Sequence, residues 1–160
     1  MRAWRQPLVL LAVAVLAAAC TGPASDASAG EPGRLEQTVD EPMKIRIIAA
    51  DQTFTAVLED SEAARDFAAL LPIELKLSDY NRTEMIADLP RPLSTAGAPE
   101  GVTPVAGDIA YYAPWGNLAI FYRDFGYSRG LVHLGRLEGH VDALARIDAP
   151  VRIELIPPRT

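Results

Sequence analysis

The chain has 160 residues and carries 21 acidic against 15 basic side chains, a net charge of −6. An acidic chain without a basic cluster is poorly matched to the nucleic-acid backbone and to anionic lipid headgroups. One cysteine excludes an intramolecular disulfide, and two histidines seven apart, with no carboxylate or cysteine cluster at ligand spacing, point to no metal site.

Taken from its start, the chain shows Arg2 and Arg5, then an apolar run over residues 8–19. A bilayer crossing needs about 20 apolar residues, so this run is too short to span and matches the core of a signal peptide, residues 1–19. The segment Ala17-Ala18-Ala19-Cys20 resembles the lipobox of bacterial lipoproteins, although Ala17 stands where that family usually has Leu. The resemblance implies that Cys20 becomes a lipidated N-terminus, held in a membrane by acyl chains at about 0.8 kcal/mol per buried CH₂. An ordinary signal peptide with an incidental cysteine is the alternative. Membrane attachment at Cys20 places the protein at the cell envelope, facing the periplasm or the exterior. Behind the cysteine, the rest of 20–42 is built from Ala, Ser, Gly, Pro and acids and carries −4, so it lacks the apolar surface to offset ordering and is expected to be a flexible tether.

Residues 43–160 hold enough chain for one core, and with 12 Lys/Arg against 16 Asp/Glu they add a further −4. Met43, Ile45 and Ile47 alternate with Lys44 and Arg46, and Phe54, Ala56 and Leu58 share a face, which predicts a β-hairpin. Asp60 or Ser61 can cap a helix with Glu62 in its first turn and a stripe of Ala64, Phe67, Ala68 and Leu71, stopped by Pro72. Residues 73–77 alternate again, with Glu74 and Lys76 outward, and lead into a polar stretch, 78–86, that suits an exposed edge or a groove wall. The Pro- and Gly-broken segment 89–104 reads as a loop. Residues 109–113 and 118–122 pair across Pro114-Trp115-Gly116-Asn117, where Gly116 and Asn117 accept positive φ. Alternation then puts Leu118, Ile120 and Tyr122 on one face and Ala119, Phe121 and Arg123 on the other. Leu137, Val141, Leu144 and Ile147 or Asp148 follow helical spacing, and 151–155 alternates as a closing strand. These elements predict a mainly β protein, a small closed or nearly closed antiparallel barrel with two short helices.

Catalytic patterns are weak. Ser128, His133 and Asp124 lack the strand-turn-helix elbow of a nucleophile, and Gly126 and Gly130 precede no helix that would complete a phosphate loop. His133, in an apolar run, reads as a hydrogen-bonded wall residue, and Glu138 and Asp142 as a solvated face. No cofactor is expected. The residues suited to lining a ligand groove are Tyr80, Arg82, Glu84, Tyr112, Trp115, Tyr122 and Tyr127, rings with polar edges beside a few charges.

Residues 43–156 resemble the bacterial cyclophilin-like domain, a group related in fold to the cyclophilin prolyl isomerases. The likeness is carried by Met43-Lys44-Ile45-Arg46-Ile47, by Gly107-Asp108-Ile109-Ala110-Tyr111-Tyr112-Ala113-Pro114-Trp115-Gly116-Asn117-Leu118-Ala119-Ile120-Phe121-Tyr122, and by Leu134-Gly135-Arg136-Leu137. It implies a barrel of about eight strands with a helix at each end. The isomerases use an arginine preceded by Phe-His and a Gln-Gly-Gly-Asp segment, and this chain has neither; Arg82 is the only arginine in a comparably polar strand. Without a donor aimed at the prolyl nitrogen, the electrostatic basis of that catalysis is missing. The expected function is an envelope-tethered, non-catalytic module for a small molecule or peptide. A divergent peptidyl-prolyl isomerase is the alternative, and a scaffold pairing through 111–117 is a third reading.

Overall fold

The computed structural model describes residues 41–158; the expected signal peptide, Cys20 and nearly all of the expected tether lie outside the described residues. Strands β1 (Lys44–Ala49) and β2 (Gln52–Leu58) form the first hairpin, closed by a two-residue turn in which Ala50 takes φ +50°. Helix α1 (Glu62–Ala68) follows, its N-terminus capped as expected by Ser61, whose Oγ accepts from the Ala64 N–H at 3.1 Å. Its buried face is Ala63, Ala64, Phe67 and Ala68.

Strands β3 (Ile73–Lys76) and β4 (Ser78–Tyr80) come next, then β5 (Glu84–Asp88), a short β6 (Gly101–Val102), β7 (Asp108–Tyr112) and β8 (Asn117–Phe121). A two-residue β9 (Ser128–Arg129), a long β10 (Leu131–Glu138) and β11 (Pro150–Ile156) complete the set. The main sheet runs β3-β11-β1-β2-β10-β7-β8-β5-β4, with antiparallel pairing throughout, while β6 and β9 form a separate ribbon. The two outermost strands are consecutive in the chain, with only Leu77 between them. One stretch, 73–80, therefore pairs with β11 through its first half and with β5 through its second, and the sheet closes on itself through the chain. Counting that stretch once gives eight strands, and an even number is what an antiparallel ring requires.

The barrel interior collects Ile45, Ile47, Phe54, Leu58, Ile109, Tyr111, Leu118, Ile120, Leu134 and Ile153, with Phe67 of α1 packed into the same cluster. Full burial of such a side chain contributes about 1.5–3 kcal/mol, so this cluster holds the ring together. A second, smaller cluster forms on the opposite face of β7 and β8: Ala110, Ala119, Phe121 and Leu131, with Ile86, Val102 and Tyr112 packed against it. The alternation read for residues 118–122 is thus observed, with Leu118, Ile120 and Tyr122 inward and Ala119 and Phe121 outward.

Two expectations are corrected, and one strand was missed. The second helix is only a 3-10 turn, Leu144–Arg146: Leu137, the first residue of the helical spacing, is pulled into β10 opposite Ala56. Strand β10 itself was hidden by its one glycine, Gly135, and by an irregular register. It bulges between His133 and Gly135, and a Cβ on Gly135 would lie 2.3 Å from the Val57 carbonyl oxygen. Finally, Gly116 has the anticipated positive φ, +72°, but Asn117 does not share it: Asn117 is the first residue of β8, paired with Tyr112.

Candidate functional site

The outward cluster is the floor of a cavity of about 200 Å³. Ala119 and Phe121 of β8 and Leu131 of β10 form its base, and Asn117 lines it at the start of β8. One wall is the β4–β5 hairpin, which contributes Tyr80, Asn81, Thr83 and Glu84; the other side is made by Tyr112, Trp115, Phe125 and Ser128.

Backbone contacts explain how these residues meet. The Thr83 carbonyl accepts from the Tyr122 and Arg123 N–H groups at 3.1 and 3.2 Å, which fastens the hairpin tip to the end of β8. Asp79 braces the same tip: its Oδ1 accepts from the Arg82 N–H at 2.9 Å and its Oδ2 from the Tyr122 hydroxyl. Those two donors, Tyr122 foremost, hold the Asp79 carboxyl below its usual range. Within the tip, Asn81 and Arg82 both adopt left-handed φ, +52° and +57°. On the far side, the Phe125 N–H donates to Pro104 at 3.0 Å and the Gly130 N–H to Glu100 at 2.7 Å, so the β6–β9 ribbon fixes the loop that carries Phe125.

Trp115, 57% exposed, stands between two tyrosines and meets both edge to face: Tyr80 at 5.5 Å and 87°, Tyr112 at 5.4 Å and 81°. Tyr80, Trp115 and Phe125 are three of the five large exposed hydrophobic residues among those described, and all three line this cavity. Glu84 lies directly across from Phe121 in the β5–β8 register. Burial against this apolar wall raises its carboxyl to about 6.

The structure gathers four of the seven residues marked in the sequence, Tyr80, Glu84, Tyr112 and Trp115, around the cavity. It leaves three outside its lining. Arg82 is exposed at the hairpin tip, Tyr122 points into the barrel interior, and Tyr127 is 61% exposed. Phe121, Ala119 and Phe125 were passed over, although the strand alternation already placed the first two on a face opposite the core. Asn117 was read as a turn residue and its burial missed.

The Ser128, His133, Asp124 set is not assembled: His133 Nδ1 is 2.7 Å from Glu59 Oε1, and Asp124 accepts from the Ala106 N–H at 2.9 Å. His133 is therefore the hydrogen-bonded wall residue expected of it. Its Nε2 is 3.3 Å from Asp108, which is also paired with Arg136 at 2.9 Å. Glu138 pairs with Lys44 at 2.9 Å. No group of three metal-ligating side chains occurs among the described residues. Nor is any helix among them long and apolar enough to cross a membrane.

A family model described as the Cyclophilin-like family matches residues 47–155. The chain belongs to the cyclophilin-like family. The match spans the barrel from within β1 to within β11, so every wall of the cavity falls inside the cyclophilin-like domain. The solution structure of a hypothetical protein from Archaeoglobus fulgidus is similar, with a TM-score of 0.51 over 71% of this chain and 94% of that one. At 20% identity, that likeness shows a shared fold and nothing finer. Comparison with curated proteins gave no match.

Proposed function

We propose that this cyclophilin-like protein is a non-catalytic binding module for a small molecule, carried at the cell envelope by a lipid anchor at Cys20. The observation that carries the reading is the cavity itself, about 200 Å³, walled by Tyr80, Tyr112, Trp115 and Phe125 and containing one half-buried carboxylate. Concave sites with an aromatic lining and few polar groups are what ligand recognition uses. Its size suits a single small group rather than a length of peptide. A prolyl isomerase would need a guanidinium aimed at the substrate amide, and no arginine lines this cavity.

The test is a thermal-shift screen of the full-length protein against small molecules of varied charge. A compound that raises the melting temperature of the wild type and fails to do so in Trp115→Ala supports the module; a panel without such a compound counts against it. A prolyl isomerisation assay runs beside it, and turnover abolished by Arg82→Ala would establish the enzyme instead.

A further inference from the structure

We infer that the cavity selects a protonated amine, a small alkylammonium group bearing N–H donors, an inference that rests on the binding function proposed above. The argument begins with what the cavity lacks. The Glu84 carboxylate makes no hydrogen bond and no ion pair with any described residue, and none of the residues lining the cavity is Lys, Arg or His. A carboxylate taken partly out of water without a counter-charge is costly, and proteins seldom leave one so placed. Burial raises this carboxyl, with no cation among the described residues acting against it.

A second acceptor is also unmet. Asn117, 2% exposed, lines the same cavity, and its Oδ1 has no donor. A buried amide oxygen of this kind ordinarily has a partner. That oxygen is closed to solvent in this structure, so the acceptor a ligand meets in the cavity is Glu84. A neutral apolar ligand would leave Glu84 unpaired, and an anion would be repelled by it.

The rings complete the site. A cation within about 6 Å of an aromatic face is attracted by the ring quadrupole, most strongly by indole. The perpendicular packing of Tyr80 and Tyr112 on Trp115 turns several π surfaces and edges around one space. The excess of acidic over basic side chains in the domain draws cations toward it from solution. A volume of about 200 Å³ accepts an ammonium with a short alkyl chain, whether a free amine or the end of a lysine side chain.

The experiment is isothermal titration calorimetry on the full-length protein at pH 7.5 with n-butylammonium, butan-1-ol and Nα-acetyl-lysine N-methylamide. Butylammonium is expected to bind about ten-fold or more tighter than butanol, and Glu84→Gln to bring the two within about two-fold. Trp115→Leu, at an exposed position, is expected to weaken the ammonium more than the alcohol. Tighter binding of the lysine amide than of butylammonium assigns the ammonium to a polypeptide lysine, and the reverse order assigns it to a free amine. Equal affinity for butanol and butylammonium overturns the inference while leaving a binding cavity in place. So does a preference for the ammonium that survives intact in Glu84→Gln. Heat from none of the three probes overturns the inference and also removes support from the binding function beneath it.

Discussion

The Tyr122 hydroxyl, carried on a ring that packs in the barrel interior, donates to the carboxylate of Asp79 on the opposite side of β5. That contact ties the edge strand β4 to the end of β8 and so fixes the height of the hairpin wall above the cavity. Tyr122→Phe keeps the ring and removes the donor, and is expected to lower the melting temperature by a few degrees. Because the Asp79 carboxyl is held below its usual 3.8, its stabilising contribution is present above that value and lost as pH falls through the lower folded one. Acid unfolding curves of wild type and variant should therefore converge at the acid end, and parallel curves would show that the contact is idle.

Glu84 behaves in the opposite sense. Its carboxyl is raised from 4.5 to about 6 by burial, so between those values the folded chain holds a proton that the unfolded chain has released. Stability from this group is full below 4.5 and declines as pH rises through 6. Against Glu84→Gln, the wild type should lose about 1 kcal/mol or less across the window, the half-exposed position being partly screened. A flat difference between pH 4 and 7 would mean that the carboxylate is fully solvated.

Gly135 has no space for a side chain. The added Cβ would meet the Val57 oxygen at 2.3 Å and the Leu58 Cα at 2.8 Å, both backbone atoms that cannot swing away. Gly135→Ala is expected to cost about 2–3 kcal/mol by separating β10 from β2. Chemical denaturation measures it, and a shift under about half a kcal/mol would mean that the bulge absorbs the methyl group.

The turns offer a matched pair of opposite sign. Ala50 pays a left-handed backbone penalty at φ +50°, so Ala50→Gly is expected to stabilise by up to about 1 kcal/mol. Gly116 is at φ +72° with only the Tyr111 hydroxyl, 3.9 Å from an added Cβ, so there the strain is conformational rather than steric. Gly116→Val should destabilise by roughly 1–3 kcal/mol. Thermal melts that move in the same direction for both would contradict the assigned backbone.

Membrane attachment is tested through Cys20. In cells, Cys20→Ser is expected to move the protein from the membrane fraction to the soluble one, and unchanged partitioning would remove the lipid anchor from the proposal.

Much of the barrel was legible because its strands bury one face against the core, and period two survives in Ile45/Ile47, Phe54/Ala56/Leu58 and Leu118/Ile120/Tyr122. Strand β10 was not, because Gly135 and the bulge after His133 break that period, and because Leu137 happens to sit at helical spacing from Val141 and Leu144. The site was half legible. Aromatic residues were visible as such, but whether a ring fills the barrel or walls the cavity depends on one-residue register, which separates Tyr122 from Phe121. Glu84 was visible as a charge in a polar stretch; its lack of a partner follows only from the fold.

The closure through Leu77 has a consequence for assembly. A sheet that ends in long unpaired strands invites other chains to add to it, whereas among the described residues the unpaired edges lie along β3 and β4, four and three residues long, and along the two-residue strands of the β6–β9 ribbon. Segments that short are poor templates for strand addition. Many copies crowded on one surface would thus lack a backbone route to stick to one another, and association would have to pass through side chains.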